Sequence, residues 1–75
     1  MCKADIERIK EFISNNLNET MYLDKWYIEV NKVLPKNRKL TKRELASVFS
    51  RKLGEDIEVE RFKEPIQYRF SPSAF

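Results

Sequence analysis

Histidine is absent from the 75-residue sequence, cysteine and glycine occur once each, and proline three times. With no His and only Cys2, the chain cannot assemble a Cys/His zinc site, a disulfide framework or a His-based catalytic dyad or triad. The lone Gly54 excludes glycine-rich phosphate loops, which need several glycines where backbone meets phosphate, so no nucleotide cofactor is expected. No apolar run approaches the roughly 20 residues that cross a bilayer. The opening MCKADIERIK lacks the continuous apolar block of a signal peptide. The expected location is therefore cytoplasmic, or the cytoplasm or nucleus of a host cell, with no membrane partner. Carboxylates and hydroxyls are present, but none cluster in a catalytic or metal-binding motif, so the chain is read as neither an enzyme nor a metal binder.

What remains is one small domain, residues 1–75, with 41% hydrophobic and 36% charged residues. A core of this size is marginal, and five Phe, three Tyr and one Trp must supply much of it. From Asp5, a good N-cap, Ile6, Ile9, Phe12 and Ile13 recur at helical spacing and predict a helix over about 5–17, stopped by NNLNET. Thr20 is the next cap. Leu23, Trp26, Tyr27, Val30, Val33 and Leu34 then form an apolar stripe over about 21–34, ended by Pro35, with Ile28 on the opposite face. Thr41-Lys42-Arg43-Glu44 is a capping box and predicts a third helix over about 42–53, with Leu45, Val48, Phe49 and Leu53 inward and Gly54 as a left-handed terminator.

Beyond Gly54 the period changes to two. Ile57-Glu58-Val59-Glu60 and Ile66-Gln67-Tyr68-Arg69-Phe70 alternate apolar and polar, which predicts a hairpin over about 57–70 with its turn in FKEP. Arg61 and Phe62 break the alternation and suggest a bulge. A tail, residues 71–75, follows, with Pro72 discouraging further pairing. The fold class is α+β. Three helices followed by a two-stranded antiparallel β-hairpin is the layout of a winged helix-turn-helix domain, although other small α+β folds share the element count.

The net charge of +3 is unevenly placed. Residues 1–35 carry 5 basic and 6 acidic side chains, residues 36–53 carry 7 and 1, and residues 54–75 carry 3 and 5. The surplus is Lys36, Arg38, Lys39, Lys42, Arg43, Arg51 and Lys52. Such a stretch suits nucleic-acid phosphates, because each cation near a phosphate releases a counterion; the less favoured alternative is a solvated surface, with Arg51 and Lys52 opposing the helix dipole. On a wheel starting at Lys42, Arg43, Ser47, Ser50 and Arg51 fall at about 80° to 180°, opposite the core stripe. Short hydroxyls between arginines would allow close approach to base edges, where Arg meets guanine O6 and N7. Glu58 and Glu60 count against a DNA-touching wing, since Arg69 can simply pair with one of them. Arg61 and Lys63 near the tip are the wing's candidates for backbone contact.

Trp26 reads as core rather than as a base-stacking platform. Ile28, with Met21 or the aromatic tail, offers a possible apolar patch for a partner chain. Cys2 reads as a plain free thiol.

YLDKWY, LTKREL and the closing IQYRF together resemble the winged-helix domain that closes many viral and phage superfamily 3 primase-helicases. The resemblance covers about 65 of the residues through loose, mostly core motifs. It implies DNA binding beside a replication motor, of which this sequence holds none. The leading expectation, from the charge placement and the wheel, is double-stranded DNA binding with Lys36, Arg38, Lys39, Lys42 and Arg51 on phosphates and Arg43, Ser47 and Ser50 toward bases, in replication or transcription regulation. The chain would then be either a free-standing protein or part of a larger helicase or initiator. The alternative is a winged-helix protein-interaction module, including an inhibitor of a host nucleic-acid-binding protein.

Overall fold

The computed structural model describes residues 2–51 and 53–72. Its elements run α1 (Lys3–Ser14), β1 (Thr20–Tyr22), α2 (Leu23–Val33), a 3₁₀ turn (Lys36–Arg38), α3 (Lys42–Arg51), β2 (Ile57–Phe62) and β3 (Gln67–Pro72). The three helices and a three-stranded antiparallel sheet make an α+β fold.

The first helix starts and ends earlier than its apolar spacing suggests. Cys2 occupies the cap position in extended backbone, and its carbonyl accepts from the amides of Asp5 and Ile6. Asp5 is therefore not the cap. It lies in the first turn, 2% exposed, where the helix dipole favours an acid, and its carboxylate is held by Arg8 and Arg38, each at 3.0 Å. At the far end, the Asn16 side-chain amide donates to the Phe12 carbonyl at 2.8 Å. Asn18 adopts φ 67°, a left-handed conformation that asparagine tolerates better than most residues, and its amide reaches the Phe70 carbonyl at 2.7 Å. That bond leads the chain from α1 into the sheet.

Thr20 is likewise not a helix cap. It opens β1, and α2 begins at Leu23 behind Tyr22, with no side-chain capping bond. Three residues are too few for a period-two signal, and their conformation is set by pairing with a strand more than forty residues away. The sheet order is β1-β3-β2, with Met21 opposite Tyr68 and Val59 opposite Phe70. The expected hairpin is thus part of a three-stranded sheet. Its ladder runs unbroken from Ile57↔Pro72 to Phe62↔Gln67, so there is no bulge at Arg61 and Phe62, the turn is Lys63 to Ile66, and Ser71 and Pro72, expected in the tail, are paired in β3 opposite Glu58 and Ile57. Residues 73–75 of the expected tail, and Lys52, lie outside the described residues.

The core forms where the helices meet one face of this sheet. Trp26 is fully buried and edge-on to Phe12, Phe49 and Phe70, with centroids 5.0 to 5.9 Å apart, the geometry in which ring edges meet ring faces favourably. Its indole N–H donates to the Tyr68 carbonyl at 3.1 Å, so burial leaves no orphan donor. Ile9, Ile13, Val30, Leu34, Leu45, Val48 and Leu53 complete the core. Val33 is partly exposed at the edge of the α2 stripe, Ile28 points to solvent, and Met21 packs against the core rather than joining Ile28.

The Thr41–Glu44 capping box forms as the sequence suggests. The Glu44 amide donates to Thr41 Oγ1 at 3.1 Å, and the Thr41 amide to Glu44 Oε1 at 3.0 Å. The Thr41 amide, followed by its hydroxyl, holds the Glu44 carboxyl below its ordinary value of 4.5. A depressed folded-state value means the contribution is present above 4.5 and is lost as pH falls through the lower folded value. Thermal unfolding should therefore separate Glu44→Ala from the parent at neutral pH, and the gap should narrow at acid pH below that value. Beyond α3, Gly54 takes φ 86°, a region that side chains disfavour.

Among the described residues no helix is long and apolar enough to cross a membrane.

Candidate nucleic-acid interface

The α3 face opposite Leu45 and Phe49 is open to solvent. Arg43, Ser47, Ser50 and Arg51 are all exposed along it, as the wheel indicates. Ser50 returns its hydroxyl to the Ala46 carbonyl at 3.0 Å, which leaves the oxygen's lone pairs outward. Two hollows flank the helix. One of about 360 Å³ is bordered by Ser47, Glu44, Arg38 and Lys39. The other, about 320 Å³, lies between Ser50 and Arg51 of α3 and Ile57 and Val59 of β2.

The cations that look alike in sequence fall into two groups. Arg38 binds Asp5 through Nε, so it ties the 3₁₀ turn to α1. Lys42 reaches Asp24 of α2 at 2.7 Å and lies 5.7 Å from the Tyr27 ring centroid. The hydrogen bond to Asp24, followed by that residue's charge, holds the Lys42 ammonium above its usual range. Lys39 donates to the Asn31 carbonyl at 2.8 Å in the last turn of α2, where a cation suits the dipole. Lys36, Arg43 and Arg51 are exposed and make no ion pair or side-chain hydrogen bond among the described residues.

Two acids from other helices thus lie against the basic stretch. A count along residues 36–53 cannot register them, because Asp5 and Asp24 are distant in sequence and join it only through packing.

Asn31 is the residue that sequence reasoning missed. It sits on α2 beside the joint, 8% exposed; its amide donates to the Leu40 carbonyl at 2.9 Å and its oxygen accepts from the Leu40 amide at 2.8 Å. This pair of bonds fixes the angle at which the chain enters α3. The only sequence signal is an asparagine near a helix C-terminus, four residues before Pro35. Asn31→Ala leaves both Leu40 groups short of a partner and is expected to cost about 2–3 kcal/mol in urea unfolding. A loss below about 0.5 kcal/mol would show that water replaces the side chain at no cost.

The hairpin sorts its charges by face. Residues in phase with buried Tyr68 and Phe70 are Ile57, Val59 and Arg61; Glu58, Glu60 and Phe62 are on the other side. Arg69 pairs with Glu60 at 2.6 Å and lies 5.8 Å from the Phe62 ring centroid, on that outer side. Arg61 is therefore on the face turned toward the helices, exposed near the tip, with Lys63 in the turn. Glu58 and Glu60, which count against a DNA-touching hairpin, lie on the face away from Tyr68 and Phe70.

Among the described residues no group of three or more Cys, Asp or Glu converges as a metal site. Comparison with protein-family models, with curated proteins and with solved structures returns no match.

Proposed function

We propose that this chain is a winged helix-turn-helix domain that binds double-stranded DNA, with α3 toward the major groove and the tip of the β2–β3 hairpin against the backbone. The element order, with a hairpin following α3, supports the layout, and β1 extends the sheet without displacing that hairpin. The observation that carries the reading is the open α3 face, where Arg43 and Arg51 stand without acidic partners around two small hydroxyls. Lys36, Lys39, Arg61 and Lys63 add charge for phosphates on either side, while Arg38 and Lys42 brace the helix that presents the face. The sequence's resemblance to primase-helicase domains supports a role in viral or phage-type replication or in transcription regulation.

The test is binding to random-sequence duplex and to single-stranded DNA over a range of salt. Five or so phosphate contacts predict a log–log slope of about −4 to −5 on duplex. Absence of a mobility shift on duplex at low salt would overturn the proposal. Stronger binding to single strands than to duplex would remove the groove assignment.

A further inference from the structure

We propose that the free edge of β2 is a docking site for an extended segment of a protein partner that alternates basic and apolar side chains. The sheet order leaves β2 paired on one side only, by β3. Along its six residues every second one directs its amide and carbonyl away from β3, so the outer edge offers a row of backbone donors and acceptors that are unpaired among the described residues. Glu58, Val59, Glu60, Arg61 and Phe62 are all exposed beside it.

The charges say what fits there. Directly opposed residues on antiparallel strands point to the same face, so a second copy of β2 related by a two-fold axis can pair only in registers centred on a residue. Centres at residues 57, 58, 59, 60 and 61 oppose Asp56 to Glu58, Glu58 to itself, Glu58 to Glu60, Glu60 to itself and Arg61 to itself. Every register sets like charges against each other, which destabilises cross-strand pairing. A two-fold β2–β2 pair is therefore disfavoured, and the proposed occupant is a different chain. A strand with Lys or Arg at alternate positions places them over Glu58, Glu60 and Phe62.

The protein already makes this contact once, from the other side. Arg69 on β3 is held by Glu60 and lies against the Phe62 ring. Glu58 has no such partner among the described residues and is open to a cation from the free side.

On the opposite face, the intervening side chains of an added strand meet Ile57 and Val59. These border the 320 Å³ groove whose floor includes Phe49 and Leu53. Val59 is 39% exposed there, an apolar surface that an aliphatic side chain would cover. Strand addition of this kind draws affinity from main-chain bonds and selectivity from alternate side chains.

The experiment titrates the isotopically labelled 75-residue chain, without DNA, with end-blocked octapeptides alternating Lys-Val or Glu-Val. The Lys-Val peptide should shift the amides of residues 57–62 saturably and slow exchange of the outward ones. The Glu-Val peptide should bind about tenfold more weakly or not at all. Glu58→Lys, which leaves the Arg69–Glu60 pair intact, should remove the preference, and a proline at an edge-facing position of the Lys-Val peptide should abolish binding. Unshifted β2 amides, equal binding of both peptides, retained preference in the Glu58 variant, or unaffected binding of the proline peptide would each overturn the proposal. Because the readout is at β2 and not at α3, failure here leaves the duplex-binding reading untouched, and the reverse also holds.

Discussion

Trp26→Ala should lose the cooperative unfolding transition of the parent chain near 37 °C. At roughly 0.05–0.15 kcal/mol per residue, a domain of 75 residues has a total stability of about 4–11 kcal/mol. Truncating a fully buried tryptophan costs about 3–5 kcal/mol, because the cavity left behind collapses only in part. Here the ring is the common neighbour of Phe12, Phe49 and Phe70, so its loss separates α1, α3 and β3 at once. It also removes the donor to the Tyr68 carbonyl. Trp26→Phe keeps an aromatic ring but not that donor and should fall between the two, with a transition still visible. Circular dichroism during urea and thermal unfolding checks all three chains. A Trp26→Ala midpoint close to the parent's would mean that the core does not depend on this ring.

The same ring shows what can be read from a sequence of this kind. Helical spacing of Trp26 with Leu23, Val30 and Leu34 identifies its buried face, since a period of 3.6 is a local property. The capping box and the left-handed Gly54 are local too, and both appear where the sequence places them.

What was not legible depends on contacts between distant segments. Thr20 looks like a cap because Ser, Thr and Asp caps dominate helix starts, but pairing with Arg69 draws it into a strand. Asp5 looks like a cap for the same reason, yet it is buried, and Arg38, thirty-three residues later and half exposed, pairs with its carboxylate. Arg61 and Phe62 look like a bulge because they reverse the alternation. The ladder keeps its register through them, since β2 is the outer strand of the sheet, exposed from Glu58 to Phe62, and does not require an apolar inner face there. In the candidate site, the exposed face of α3 was readable and the division of its cations was not. Which lysine or arginine is engaged is decided by the acids that α1 and α2 bring to it.

That division yields the second large effect. Arg43→Ala combined with Arg51→Ala should leave the unfolding midpoint nearly unchanged, as both side chains are exposed and unpartnered and such surface changes stay within about 0.5 kcal/mol. Duplex affinity, in contrast, should fall by roughly 30-fold or more, the equivalent of at least about 1 kcal/mol for each arginine at a base or phosphate. The salt slope should become shallower by about 1, from the loss of Arg51 at a phosphate.

Arg38→Ala should behave in the opposite way. It removes one of the two guanidinium groups paired with the Asp5 carboxylate, which is 2% exposed; because the Arg38 side chain is itself 49% exposed and Arg8 stays in place, the expected cost is about 1 kcal/mol. The variant should therefore unfold earlier, yet keep most of its duplex affinity when measured well below its transition. Fluorescence anisotropy on a labelled duplex, paired with urea unfolding of the same preparations, separates the two behaviours. If Arg38→Ala lost affinity as severely as the Arg43 and Arg51 pair while keeping its stability, the bound phosphate would lie at the 3₁₀ turn and α3 would not be the reading face. If the pair lost stability instead of affinity, its arginines would have acidic partners in solution, and the open face of α3 would carry no function.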